Sequence, residues 1–261
     1  MVAQVTAPHL LRCHRMAGRL RLGTSGYVYP HWRRVFYPPR LPVREWLPFY
    51  AQHFDTVELN NPFYRLPDKA AFRGWRAAVP EDFVFTVKAS RYLTHLKRLR
   101  SARAPLDRLL RRVRPLGPTL GPLLFQLPPQ FHADLPRLTT FLGALGRQPH
   151  FTRLRAALEV RHASWLAPET FDLLRKAGVA LCFHDARVQP VTGPVTASFV
   201  YIRRHGTSPR YRGSYPDSML EADARRIRRW LADGLDVYIY FNNDIGGAAV
   251  RNAIRLRRLA L

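Results

Sequence analysis

Hydrophobic positions along the chain fall into eight short runs separated by longer amphipathic stretches. The runs are Arg19–Thr24, Thr56–Asn60, Phe83–Lys88, Pro122–Leu127, Arg155–Val160, Val179–Phe183, Ser198–Arg203 and Val237–Phe241. Most are rich in Val, Leu, Phe and Tyr without polar alternation, which is the pattern of strands covered on both faces. The run at 56–60 differs. Its period of two sets Val57 and Leu59 on one side and Glu58 and Asn60 on the other.

The stretches between them carry helical spacing. Pro42–His53 repeats Trp46, Leu47, Phe49 and Tyr50 at three- and four-residue intervals. Asp68 and Asp134 are placed to cap helices over Asp68–Val79 and Leu135–Gly146. Pro105–Leu116 opens on proline, and Pro168–Ala177 ends at Gly178, where a left-handed residue is wanted. Ser218 and Glu221 have capping-box spacing at the head of Ser218–Ala232. Ala248–Leu259 closes the chain. Strand followed by helix, repeated, predicts a parallel sheet. Eight such units predict a single-domain (β/α)8 barrel of the TIM type, a fold of about 250 residues. An open doubly wound sheet is the runner-up, but Gly23-Thr24-Ser25-Gly26 lacks the GxGxxG pattern. Residues 1–18 match no regular pattern and read as a flexible extension or a misassigned start, with the barrel domain over 19–261.

Composition narrows the class. Of 261 residues, 42 are Lys or Arg against 18 Asp or Glu, a formal net charge of +24. Hydrophobic residues at 47% are too many for a disordered basic tail. No apolar run approaches the roughly 20 residues of a membrane span, and none has signal-peptide character, so a cytoplasmic protein is expected. Cys13 and Cys182 form no metal or disulfide pattern. The basic side is almost all arginine: Lys69, Lys88, Lys97 and Lys176 are the only lysines. GC-rich codons favour Arg, so part of the charge is compositional. The rest would attract a polyanion.

A barrel of this type keeps its site at the C-terminal strand ends. That rule yields Ser25, Glu58 and Asn60, Lys88, Gln126, Glu159 with Arg161 and His162, His184 and Asp185, Arg203 to His205, and Asn242, Asn243 and Asp244. Glu58 and Glu159 are candidate acid and base, with Lys88 as their charge partner or as a Schiff-base amine and His205 as a further catalytic group. An inert ion network is the alternative. Arg203, Arg161, His162, Tyr211 and Tyr215 suggest an anion site, because the planar guanidinium grips two phosphate oxygens at once. Asn60, Asn242, Asn243 and Asp244 would rim it. No cofactor is predicted. A divalent metal at His162, His184, Asp185, His205 and Asp244 is the weaker alternative, since no metal-ligand motif is present.

Gly23–Gly26, Trp32 with Phe36-Tyr37-Pro38, Phe54–Asn60, Phe63–Pro67, Phe85–Ala89, Thr94-His95 and Leu124–Pro129 carry a resemblance. Glu159, Arg161-His162 with Trp165, His205-Gly206, Tyr211, Gly213, Tyr215 and Tyr240–Asp244 continue it. Over Leu20–Leu259 the chain resembles domain of unknown function family 72, the YecE-like family. The resemblance implies a TIM-type barrel and no particular reaction. Tyr27 stands where the family usually has Trp, and Asn61-Pro62 where a Ser-Thr pair is commoner.

Three functions follow as expectations. The first is an enzyme of hydrolase, lyase or isomerase type on a phosphate-bearing sugar, nucleotide or nucleic-acid strand. The second is nucleic-acid binding without turnover, through the Arg/Tyr loop after the seventh strand and the basic segment Arg91–Arg114. The third is a carbohydrate or carbonyl enzyme on a substrate without phosphate. No membrane partner is expected, and the oligomeric state stays open.

Overall fold

A computed structural model of the chain describes residues 17–148, 154–186, 191–208 and 212–261. The expected N-terminal extension lies almost wholly outside the described residues. Eight strands form one parallel sheet: β1 (Leu20–Thr24), β2 (Thr56–Leu59), β3 (Val84–Lys88), β4 (Leu120–Gln126), β5 (Ala156–Glu159), β6 (Ala180–His184), β7 (Phe199–Arg204) and β8 (Asp236–Phe241). Their order, β1-β8-β7-β6-β5-β4-β3-β2, leaves a single seam between β1 and β2. The seam is nearly closed. Ser25 bridges Glu58 in parallel, and the Gly26 amide donates to the Glu58 carbonyl at 2.8 Å. Gly23 permits the close approach, since a Cβ there would lie 2.1 Å from the Thr56 carbonyl oxygen.

The helices are α1 (Trp46–Ala51), α2 (Asn61–Tyr64), α3 (Lys69–Ala77), α4 (Arg103–Val113), α5 (Leu135–Gly146), α6 (Pro168–Ala177), α7 (Asp217–Ala232) and α8 (Ala248–Ala260). Asp68 caps α3 by accepting from the Ala71 amide at 2.9 Å, and Asp134 caps α5 by accepting from Arg137 at 3.0 Å. Gly178 ends α6 at φ 65°. The expected capping box at Ser218 does not form. Helix α7 starts one residue earlier, after Pro216, and Asp217 turns to Arg255 of α8 at 2.7 Å.

A larger departure is the connection from β6 to β7, which has no helix among the described residues. Val191 instead pairs with His184 in an antiparallel bridge. The Thr196 hydroxyl accepts from the Leu181 amide at 2.8 Å and donates to the Val179 carbonyl at 2.7 Å. A short polar strap thus satisfies backbone groups that a helical crossover would leave to other partners.

Strand alternation then sorts the side chains. Outward-facing Val57, Leu59, Phe85, Leu123, Phe125, Leu158 and Ile239 join the main core beneath the helices. Inward-facing Leu124, Ala157, Ala180, Cys182, Phe199, Tyr201, Tyr238 and Tyr240 fill the barrel. The Tyr240 hydroxyl is tied to the hydroxyls of Thr56 and Thr86 at 2.8 and 2.7 Å. The lower barrel is therefore filled by packed side chains, and Glu58, Glu159 and Arg203 sit in the layer above it.

Candidate functional site at the strand ends

The inward positions at the C-terminal ends of β2, β5 and β7 carry Glu58, Glu159 and Arg203, which are at most 1% exposed. Arg203 lies between the two carboxylates. It donates through Nε and Nη2 to Glu58 at 3.1 and 2.8 Å, and through Nη1 to Glu159 at 2.8 Å. The remaining carboxylate valences are also filled. Glu58 accepts from Tyr201 at 2.6 Å and from the Ser25 hydroxyl. Glu159 accepts from Gln126 at 2.8 Å and from Arg161. Burial alone would raise the Glu159 carboxyl, but the charges of Arg161 and Arg203 overcome it and hold the group well below its usual range. Its ionised form is locked, and a proton-donating role for it at neutral pH would require Arg161 or Arg203 to withdraw.

His205 is bound into the same network. Its Nε2 lies 3.2 Å from both Arg161 Nη2 and Arg203 Nη1. Guanidinium groups only donate, so this nitrogen accepts and the ring proton sits on Nδ1, 3.4 Å from Asp185. Burial first, then the neighbouring Arg203 charge, push the ring down to about 4 against the opposing pull of Asp185. His205 is thus a neutral acceptor between two cations.

Lys88 behaves differently. It ends β3, is 8% exposed, and its Nζ rests 4.0 Å over the Phe63 ring. No carboxylate oxygen of the described residues lies within 4.0 Å of it, because Arg203 and Arg161 already neutralise Glu58 and Glu159. Burial, and next the Arg203 charge, push its ammonium down to about 7. Lys88 and Arg203 border a cavity of about 330 Å³ whose walls include Tyr27, Tyr29, Asn60, Tyr64, Trp75, Asn242 and Asp244. The Asn60 Oδ1 is buried without a hydrogen-bond partner among the described residues. Burial raises the Asp244 carboxyl above its usual range. His95 packs edge-on against Phe63, the ring beneath Lys88. Burial and the charges of Lys88, Arg91 and Arg161 push its imidazole down to about 4.

The structure therefore brings Ser25, Glu58, Glu159, Arg161, Arg203 and His205 into one network, with Lys88, Asn60, Asn242 and Asp244 at an adjoining cavity. Other expected site residues point elsewhere. His162 caps the turn at Ala163–Trp165 through Nδ1 and stacks on His132 at 3.8 Å. Asn243 donates to the Gly213 carbonyl and to Asn252, tying the loop after β7 to α8. The Tyr215 hydroxyl donates to Asp185 and accepts from the Gly206 amide, so it braces that loop from within. Arg204 faces outward to Asp223 of α7. Tyr211 lies outside the described residues. His184 gives its Nε2 to the Val160 carbonyl at 2.7 Å. Among the described residues no three His, Cys, Asp or Glu side chains converge to hold a metal ion. Tyr201 and Phe63 escaped the sequence reading. Tyr201 was signalled by period two, since it faces the same way as Arg203 two residues on.

A strand-end pocket over a packed parallel barrel defines the class as TIM-type, and the comparisons add the family. The chain belongs to the family described as "Protein of unknown function DUF72", whose model matches residues 21–261. It is 31% identical over 147 residues to UPF0759 protein YecE of Escherichia coli K12, covering 56% of this chain and only half of YecE. It is 25% identical to UPF0759 protein YunF of Bacillus subtilis 168, over 85% of this chain and 89% of that one. The crystal structure of a DUF72 family protein from Thermotoga maritima MSB8 superposes with a TM-score of 0.80 at 27% identity, covering 92% of this chain and 98% of the other. A DUF72 family protein from Enterococcus faecalis V583 superposes at 0.77 with 21% identity, covering 92% and 95%. No helix of the described residues is long and apolar enough to cross a membrane.

Proposed function

We propose that this chain is an enzyme that takes a small phosphate-bearing substrate in the cavity beside Lys88. One observation carries the reading: the carboxylates at the strand ends are already neutralised by Arg203 and Arg161, so the mouth keeps a surplus of positive charge. The His95 imidazole is lowered first by burial and then by the charges of Lys88, Arg91 and Arg161. A phosphate in that cavity would be held by the protonated fraction of Lys88 and drawn in at longer range by Arg91. Arg203, with every nitrogen engaged by protein acceptors, acts as the organiser of Glu58 and Glu159 rather than as the anion's first ligand. Lys88, poised near neutrality, is the group best suited to take and return a proton. Asn60, on the cavity wall, could bond a substrate hydroxyl through its side-chain amide.

Calorimetric titration with glycerol 3-phosphate and with glycerol tests the reading. Wild-type protein should bind the phosphate and not the alcohol, and Arg91→Ser with Lys88→Met should weaken binding at least about tenfold, or 1.4 kcal/mol. Equal binding by wild type and the double variant would refute it.

A second reading has its own observation. Lys97, Arg98 and Arg100 surround another hollow of about 330 Å³ on the rim beyond β3. Arg98, Leu99 and Ser101 hold left-handed backbone there at φ 45°, 68° and 47°. Strain of this kind concentrates at functional segments. A single nucleic-acid strand laid along this rim would bind with a steep salt dependence. Affinity unchanged between low and high salt would exclude it.

A further inference from the structure

We infer that Lys88 is a covalent amine nucleophile that forms an imine with the carbonyl group of an α-hydroxy aldehyde or ketone held in the strand-end cavity. The inference rests on reading that cavity as the active site, and it names the substrate class. Three features of the geometry point the same way. Lys88 is the last residue of β3, so its backbone is fixed by the sheet, and it lines the cavity. The amine has no ion-pair partner among the described residues, and it rests over the face of Phe63 at 4.0 Å. Tyr27, Tyr29 and Trp75 wall the cavity together with Asn60, Asn242 and Asp244, so a carbonyl substrate would meet aromatic faces and hydrogen-bonding groups side by side. Asn60 lines the same cavity, where its side-chain amide could bond the hydroxyl beside the carbonyl.

The step balances without a co-reactant. The neutral amine adds its electron pair to the carbonyl carbon, a C–N bond forms, the carbonyl π pair moves to oxygen, and a proton passes from the now cationic nitrogen to that oxygen, which restores the nitrogen pair. A second proton converts that oxygen to water, which leaves as the nitrogen pair closes the C=N bond. Lys88 can supply a neutral amine at pH 7 because its ammonium is held near that value. An ordinary exposed lysine is neutral in only about one molecule in a thousand or fewer.

Reductive trapping tests this on the whole chain. Protein is incubated at pH 7 with glyceraldehyde or glyceraldehyde 3-phosphate plus cyanoborohydride, and modified peptides are mapped by mass spectrometry. Lys69, Lys97 and Lys176 are exposed and serve as internal controls. The expected result is labelling of Lys88 at least about tenfold faster than of the other three, at lower concentrations of the phosphate ester. Labelling of Lys88 no faster than of the controls overturns the imine, whatever the phosphate dependence. Equal labelling of Lys88 by both aldehydes supports the imine and overturns the phosphate reading alone. Lys88→Arg should lose the adduct. If that variant fails to fold, the comparison among lysines in the wild-type chain still decides.

Discussion

Lys88 and Arg203 are both buried cations at strand ends, yet their surroundings give them opposite states. Arg203 sits between two carboxylates at hydrogen-bond distance and is held charged. Lys88 has no counter-ion in contact and is pushed toward neutrality. Removing Arg203 would leave Glu58 and Glu159 buried and under-compensated. Arg203→Met should therefore cost about 3–5 kcal/mol in denaturant unfolding. A cost below about 1 kcal/mol would show that the carboxylates find other partners.

Lys88→Met should do the reverse at neutral pH. The unfolded chain binds the lysine proton up to its ordinary value of 10.5, whereas the folded chain releases it at about 7. Between these values the unfolded state holds more protons, so wild-type stability rises with pH. The methionine variant should be more stable than wild type at pH 7, by an amount on the order of 3 kcal/mol. The gap should close as pH approaches 10.5. A gap that is constant over this range would sink the claim that Lys88 is desolvated. The stability lost at such a residue is what a reactive amine requires.

At the scale of elements, local signals held where the partner was close in sequence. Asp68, Asp134 and Gly178 end helices as their chemistry demands, because each interacts within a few residues of itself. The Ser218 box failed because Asp217 found Arg255, 38 residues away. The β1–β2 seam was illegible for the same reason. There the Tyr50 hydroxyl of α1 accepts from the Thr24 amide at 2.9 Å and donates to the Thr56 carbonyl at 3.1 Å. One side chain replaces a ladder bond that the strands cannot make directly. Tyr50→Phe should leave both buried groups unpaired and cost about 1–3 kcal/mol, with amide exchange accelerated at Thr24. Unchanged exchange there would mean that the seam pairs without Tyr50.

Across the whole molecule, the net charge of +24 separates into two parts. Much of it is arginine turned outward or paired, as Arg204 is with Asp223. The consequential part is the local surplus left at Lys88 and Arg91. Burial of two histidines, and the arginines beside Glu159, govern the response to acid. His95 and His205 are each held near 4, below the ordinary 6.5, and Glu159 lies below its usual range. Their stabilising contribution is complete above pH 6.5 for the histidines and above about 4.5 for Glu159. It is lost as pH falls through the lowered values. The melting temperature should fall steadily from pH 7 to pH 4, with His205 accounting for about 3 kcal/mol and the half-exposed His95 for much less. His205→Asn should flatten the decline, and an unchanged slope in that variant would assign the effect elsewhere.

The sequence by itself determined the eight strands to within one or two residues, the parallel barrel and the set of chargeable groups at the strand ends. Those properties rest on periods of two and 3.6 and on caps, which act over a few residues. Tertiary structure decided how the groups divide. Glu58 and Arg203 are 145 residues apart and meet only when the barrel closes. That meeting saturates the carboxylates, turns His205 into an acceptor and leaves Lys88 alone beside the cavity. Desolvation and charge pairing depend on what surrounds a group in space. A linear pattern can name the chargeable residues at the barrel mouth, but only the fold shows which one is left without a partner.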